Sequence, residues 1–401
     1  MIDINNKLAI SSFLNFGYDI TYKPNLSFNY KKCKKLTEIP DYKTSKDIFL
    51  SSIERSIKNH NGNIIVPMSG GLDSRALLAG LLEVCSAERL KTYTFGSKSS
   101  YDFEIGVGIS QALGIECTSY NLAEYGFSEA SLHETAAMFD RQTCLFYHPP
   151  YELIKEKFQS DLFLIGFMGD PLAGSHLPQV PSSNDEHVYK TFCKKNQMVR
   201  SCDLIDVESH MLSDVLPLPK SSTLPLTKEE YCDFEIRQLK YVYPHVMPKG
   251  LNCRSPFIDQ AWFEHMLSIP DAVRWNQSYY NSFLINSFPT AFNYPCKNNF
   301  GLKLEENRVL SKLWKGMHRF PFLKQKTVNY QNFNKRINED KQLYNLLYML
   351  LNDLTNRNLQ LKSNPIEMLN QHVNGNAIYA DAIINMASLE INLSGDNKYH
   401  V

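Results

Sequence analysis

Asn63-Ile64-Ile65-Val66-Pro67-Met68, then Ser69-Gly70-Gly71-Leu72-Asp73-Ser74, then the apolar stretch Ala76 to Val84, decide how this chain folds. The first run has the unbroken apolar character of a strand buried on both faces. The last reads as a helix. Between them Gly70 and Gly71, lacking Cβ atoms, let backbone N–H groups approach an anion closely. The positive end of the helix points at the same place. No lysine follows the glycines, so this is not the lysine-bearing phosphate loop GxxxxGK[ST]. Asp73 sits inside the loop, where it would repel a bare phosphate, so the string makes sense with a divalent cation between Asp73 and the phosphates. The plainer alternative is a strand–turn–helix connection in which Ser69, Asp73 or Ser74 caps the helix. Chance occurrence of one given six-residue string in a chain this long is on the order of 10⁻⁵.

Outward from this segment the pattern repeats. Phe49, Leu50, Ile53 and Ile57 space a helix over 46–60. Lys91 to Gly96 reads as a second strand, Asp102 to Leu113 as a helix, Ile115 to Tyr120 as a third strand and Leu162 to Ile165 as a fourth. Strands alternating with helices predict βαβ units and a parallel sheet, whose ligands bind at the carboxyl ends of the strands. Gly106-Val107-Gly108 lies inside a helix and reads as helix packing, not a nucleotide fingerprint. Past about residue 185 strand signals fade, and Lys228 to Tyr243, Gln260 to Leu267, Tyr279 to Phe288 and Asp340 to Leu354 read as helices. The expected organisation is an appendage over 1–45, an α/β domain over 46–200 and a helical substrate or lid region over 201–401.

Composition narrows the function classes. The 401 residues are 43% hydrophobic and 12% aromatic, enough for a sizeable core. Lys+Arg 42 balance Asp+Glu 42, which argues against general affinity for nucleic acid or anionic membranes. The longest clean apolar run, Leu162 to Met168, is too short to span a bilayer. Met1 to Asn5 has no secretory pattern. The nine cysteines contain no CxxC pair, so neither a disulfide framework nor a structural zinc site is expected, and a reducing cytoplasm fits. The eleven histidines show no HExxH and read as ordinary residues.

Ser69-Gly70-Gly71-Leu72-Asp73-Ser74 resembles the PP-loop of the ATP pyrophosphatase superfamily, whose members cleave ATP to AMP and pyrophosphate. More narrowly, the chain is similar to the synthetase domain of class B asparagine synthetases and their relatives, including β-lactam synthetases and lasso-peptide cyclases. Thr94-Phe95-Gly96, Asp102 and Leu113-Gly114-Ile115 resemble that family's second strand and following helix. Ile165-Gly166-Phe167-Met168-Gly169-Asp170-Pro171-Leu172-Ala173-Gly174 is similar to its Ser-Gly-x-Gly-x-Asp-Glu-x-x-Gly stretch. Arg254-Ser255-Pro256-Phe257-Ile258-Asp259 resembles Arg-x-Pro-Phe-Leu-Asp, and Lys297 with Asn298 to Gly301 is a weaker echo of a Lys-Gly-Phe element.

The resemblance implies a doubly wound α/β sheet of the PP-loop, HUP-like kind. It implies ATP and Mg²⁺ as cofactors and an AMP-forming amide ligase as the activity. Ser69, Gly70, Gly71, Asp73 and Ser74 would hold the pyrophosphate, Asp73 and Asp170 would bind Mg²⁺, and backbone at Phe95, Gly96 and Gly166 would contact adenosine. A small-molecule or sugar carboxylate, for example a uronic acid destined for a surface polysaccharide, would be adenylated and passed to ammonia or an amine. A peptide or secondary-metabolite cyclase and a nucleotide-binding pseudoenzyme are the alternatives. Three departures stand out. Ile2 replaces the cysteine of the family's glutaminase domain, and Leu14 to Lys32 resembles that domain's last part, so ammonia would come from free ammonium or a partner glutaminase. Pro171 replaces a glutamate. Tyr279-Tyr280-Asn281-Ser282 stand where the family carries a catalytic lysine, leaving Lys297, Lys303 or Arg254 to replace it.

Overall fold

Ile64, Ile65 and Val66 have no exposed surface, and with Pro67 they form β1 (Ile64–Pro67), the central strand of a five-stranded sheet. Burial of each such side chain stabilises the fold by about 1.5–3 kcal/mol. The other strands are β2 (Leu90–Gly96), β3 (Glu116–Asn121), β4 (Leu162–Leu164) and β5 (Asn252–Arg254). All pairings are parallel, in the order β3-β2-β1-β4-β5. The chain is thus an α/β protein with an all-parallel sheet. The computed structural model describes residues 2–30, 33–98, 100–205, 210–219, 224–299, 301–304 and 331–395. Phe300 of the late Lys-Gly-Phe echo and 305–330 of the C-terminal tail lie outside the described residues.

Four helices occupy the first part of the chain, α1 (Lys7–Phe16), α2 (Tyr42–Ile57), α3 (Asp73–Val84) and α4 (Tyr101–Ala112); α3 and α4 pack on the strands and α2 packs on α3. Asp41 caps α2 by accepting the Thr44 N–H at 2.8 Å, so the helix starts four residues before its apolar pattern. Ser100 caps α4 through the Phe103 N–H at 3.4 Å. By contrast, no side chain caps α3, which begins directly after Leu72. Its first N–H groups remain oriented toward the loop, as an anion site requires. Gly106 has the packing role read from the sequence. A Cβ there would lie 3.0 Å from the Met68 carbonyl oxygen, so its absence lets α4 approach the end of β1.

The second half contributes a strand that the sequence pattern hides. β5 pairs with β4 from Leu162↔Asn252 to Leu164↔Arg254. The sheet therefore crosses the boundary read at residue 200, and the later segment is not purely a helical region packed upon it. Lys228 to Tyr243 is helical as expected, but Asp233–Val242 winds as a π-helix between α-helical Lys228–Cys232 and Tyr243–Val246.

The N-terminal segment is fastened to the C-terminal helix Ala380–Ser394. The buried Asn385 side-chain amide donates to the Phe13 and Leu14 carbonyls, each at 3.0 Å. Asn392 donates to the Thr143 carbonyl at 3.0 Å, and the Leu145 N–H donates to Ser388 Oγ at 2.9 Å. These bonds satisfy buried polar groups and fix how the two ends of the chain meet. Among the described residues no helix is long and apolar enough to cross a membrane.

Candidate functional site

The strand order reverses between β1 and β4: the chain steps outward from β1 through β2 and β3, then returns to the far side of β1 for β4. Parallel α/β sheets open a crevice beyond the carboxyl ends of the two strands at such a reversal. The Met68–Leu72 loop follows β1, and the Ile165–Met168 loop follows β4. Both line a cavity of about 700 Å³, with Asp73, Ser74 and Asp170 in its wall.

Asp73 is the first residue of α3, yet its carboxylate caps nothing in that helix. It accepts the Asp170 N–H at 2.8 Å and the Tyr280 O–H at 3.2 Å. Gly169 makes this possible: a Cβ there would lie 2.4 Å from Asp73 Cγ and 2.6 Å from Asp73 Oδ1. A Cβ at Gly166 would lie 2.9 Å from Asp73 Cβ. The loop after β4 thus wraps the Asp73 side chain with backbone alone. Asp170 accepts the Ser175 hydroxyl at 2.7 Å and the Gln277 amide. Asn276 and Gln277 both adopt left-handed backbone, φ 53° and 60°, immediately before the helix Ser278–Ser287. That costly turn delivers Gln277 to Asp170 and Tyr280 to Asp73.

Burial, and then the nearby charge of Asp170, push the Asp73 carboxyl up to about 8. A buried carboxylate near a second, half-exposed one is poorly compensated unless positive charge joins them. The donor set is carboxylate oxygen, which suits a hard divalent cation, and the residues present fit Mg²⁺ on that ground. No group of three or more His, Cys, Asp or Glu side chains is placed to hold a metal among the described residues. A cation here would take its remaining ligands from phosphates and water.

Within the loop, Ser69 N–H donates to Ser74 Oγ at 3.3 Å and Gly71 N–H to Ser69 Oγ at 3.2 Å. The Gly70 N–H donates to Asp102 at 3.1 Å, and Lys297 N–H donates to the Gly70 carbonyl at 2.8 Å. Asp102, an acid of the first turn of α4, also receives the Lys297 ammonium. Lys297 therefore braces the back of the loop and is absent from the cavity wall.

Phe95 and Gly166 line the cavity; Gly96 does not, but its carbonyl accepts the Leu122 N–H at 3.1 Å at the end of β2. Arg254 stands apart. Its guanidinium donates to the carbonyls of Ser56 at 2.6 Å and Lys58 at 3.3 Å, where α2 ends. Lys303 bonds Asn293 at 2.8 Å. Neither Arg254 nor Lys303 lines the cavity.

Sequence reasoning missed Gln277 and His176, and named Tyr280 only within the run standing in place of the family's lysine, without a role. His176 Nδ1 lies 2.7 Å from Asp233 Oδ2, and its Nε2 lies 4.0 Å from Asp170 Oδ2. Burial alone would raise Asp233, but the His176 bond and the charges of His176 and Arg237 outweigh it and hold that carboxyl below the usual range. No spacing rule marks these residues: Gln277 and Tyr280 come from the left-handed turn and the helix it opens, and His176 from the loop beyond the Asp170 turn. No family model matches this chain, and no curated protein matches it either.

Proposed function

We propose that this chain is an ATP-dependent, AMP-forming amide ligase built on a doubly wound sheet of the PP-loop kind. The observation that carries this reading is the meeting of Asp73 and Asp170, from the ends of β1 and β4, beside an uncapped helix and a Gly-Gly loop. A simple phosphate pocket has no use for two acids, whereas a site that parts pyrophosphate from AMP under a divalent cation does.

In this reading the loop Ser69 to Ser74 and the first turn of α3 hold the β- and γ-phosphates of ATP. Asp73 and Asp170 hold Mg²⁺, which supplies charge neutralisation at the phosphates. Phe95 and Gly166 form the wall beside the adenosine. Tyr280 and Gln277 keep the two carboxylates aimed, and the Lys297–Asp102 pair keeps the Gly70 backbone in place. The substrate carboxylate attacks the α-phosphorus and displaces pyrophosphate. Ammonia or an amine then displaces AMP from the acyl-adenylate and leaves an amide. Orientation of the reactants in one crevice lowers the barrier by ~7 kcal/mol where alignment is good. Ammonia or amine donor, a separate glutaminase and a cytoplasmic setting belong to the same proposal.

One observation favours a second reading. The Lys297 ammonium is engaged by Asp102, so it does not face the cavity. A nucleotide-binding protein without turnover would need no cation there. Release of AMP and pyrophosphate from ATP·Mg²⁺, followed with a panel of carboxylic acids and ammonium, separates the two. Release that depends on one acid supports the ligase; tight ATP binding without release across the panel supports the binder.

A further inference from the structure

A second cavity of about 270 Å³ adjoins the first and shares His176, Met198, Arg237 and Tyr241 with it. Its wall carries Lys195, Arg200 and Arg237 and contains no Asp or Glu among the described residues. Arg200 Nε donates to the Gln197 carbonyl at 3.2 Å and its backbone N–H to the Asp381 carboxylate at 2.8 Å; no described carboxylate forms a salt bridge with the three cationic side chains, although Arg237 acts through space on the buried Asp233. In a chain of zero net charge, Lys195 and Arg200 at the rim and Arg237 near the buried Asp233 still leave this small hollow with a local excess of positive charge. Tyr18 lines the same hollow. Only 1% of its surface is exposed, and its hydroxyl has no hydrogen-bond partner, although its ring stacks on Tyr241 at 5.2 Å. A buried hydroxyl left without a partner costs about 1–3 kcal/mol. Arg237 and Tyr241 are presented from the π-helix Asp233–Val242, a backbone form concentrated at functional sites.

We propose that this hollow binds a second anionic group of the acid substrate, a phosphate ester or a second carboxylate, while the carboxylate to be activated lies in the crevice beside Asp170. The proposal rests on the ligase reading and specifies its substrate class: an acid with an anion at its far end. Arg237, at the junction of the two cavities, is the specificity-determining residue, and Lys195 and Arg200 supply charge at the rim. A planar guanidinium matches phosphate and carboxylate oxygens in two-point fashion, so arginine at the junction suits either group.

The test is calorimetric titration of the full chain with three probes: glucuronic acid, glucuronic acid 1-phosphate and glucaric acid. Wild type is compared with Arg237→Gln, Lys195→Gln and Asp73→Asn, and ATP·Mg²⁺ is titrated separately. Wild type binds one or both of the doubly anionic probes at least about tenfold more tightly than glucuronic acid, and which one wins distinguishes phosphate from carboxylate. Arg237→Gln abolishes that preference. Lys195→Gln, on an exposed residue where folding is safe, reduces it. Equal affinity for all three probes overturns the proposal, as does a preference that survives both variants. An Arg237→Gln loss that falls on ATP·Mg²⁺ as heavily as on the probes also overturns it. Asp73→Asn separates the two readings: if ATP·Mg²⁺ binding survives it, the ligase site is wrong, while the anion preference is read independently.

Discussion

The Asp170 N–H donates to the Asp73 carboxylate at 2.8 Å across 97 residues of sequence. One group begins the helix after β1 and the other belongs to the turn after β4, so this bond closes the crevice at the sheet's reversal. It uses the backbone of Asp170, whose own carboxylate accepts the Ser175 hydroxyl and the Gln277 amide. Asp73 is held in a position that is electrostatically costly in the free protein, which is the usual relation between stability and a binding site.

Asp73→Asn keeps the shape and removes the charge. It raises the melting temperature by a few degrees, because burial disfavours the Asp73 charge. The same variant loses the upward shift that ATP with Mg²⁺ gives wild type. Differential scanning fluorimetry reads both effects. A variant that melts lower than wild type and still responds to ATP·Mg²⁺ contradicts the assignment.

Gly169→Ala inserts a methyl group where Asp73 Cγ lies 2.4 Å away, so the Asp73 carboxylate must move. ATP·Mg²⁺ affinity falls at least about tenfold. Gly108→Ala is the control: nothing lies within 4 Å of its added Cβ, and an exposed helical glycine replaced by alanine stabilises by about 0.5–1 kcal/mol. Paired titrations and urea melts check both.

Much of this site is written locally. Ile64 to Val66 declare a buried strand, Gly70 and Gly71 declare close backbone approach, and Asp73 marks the loop as acidic, all within a dozen residues. Asp170 was picked out by the resemblance of Ile165 to Gly174 to a known Gly-rich acidic stretch and by the presence of Asp73. β5 was not: Asn252-Cys253-Arg254 has no apolar pattern, and only pairing with β4 makes it a strand. Arg254 looked like a site residue from its neighbours in sequence, but β5 carries its side chain to the end of α2. Tyr280 and Gln277 reach the carboxylates through two left-handed residues whose conformation no periodicity announces.

Arg274 and Glu230 form a wholly buried ion pair at 2.8 Å, and Arg274 also donates to the Leu172 carbonyl at 3.1 Å behind the Asp170 turn. Arg274→Met leaves Glu230 buried without its partner and costs about 3–5 kcal/mol. Adding Glu230→Gln to that variant recovers part of the loss. Denaturant melts of the two single variants and the double variant measure the coupling.

Buried histidines make the fold acid-sensitive. Burial, then the neighbouring His148 charge, push His245 down to about 3, and burial lowers His148, His265 and His372 as well. These imidazoles are neutral when folded and take up protons when unfolded. The histidine contribution to stability is therefore complete above about pH 6.5, the ordinary histidine value, and declines as pH falls from there toward 3. Each histidine contributes a slope of up to about 1.4 kcal/mol per pH unit in that window. His245→Gln, which can keep the bond to Thr143 Oγ1, flattens the curve by one such slope. A slope unchanged in the variant contradicts the assignment.

The most direct measurement is calorimetric titration of ATP into the full chain, with Mg²⁺ and with EDTA, for wild type and Asp73→Asn. The Asp73–Asp170 crevice predicts binding that needs Mg²⁺ and is lost in the variant. ATP binding that is indifferent to Mg²⁺ and unaltered by Asp73→Asn would place the nucleotide elsewhere and contradict the account.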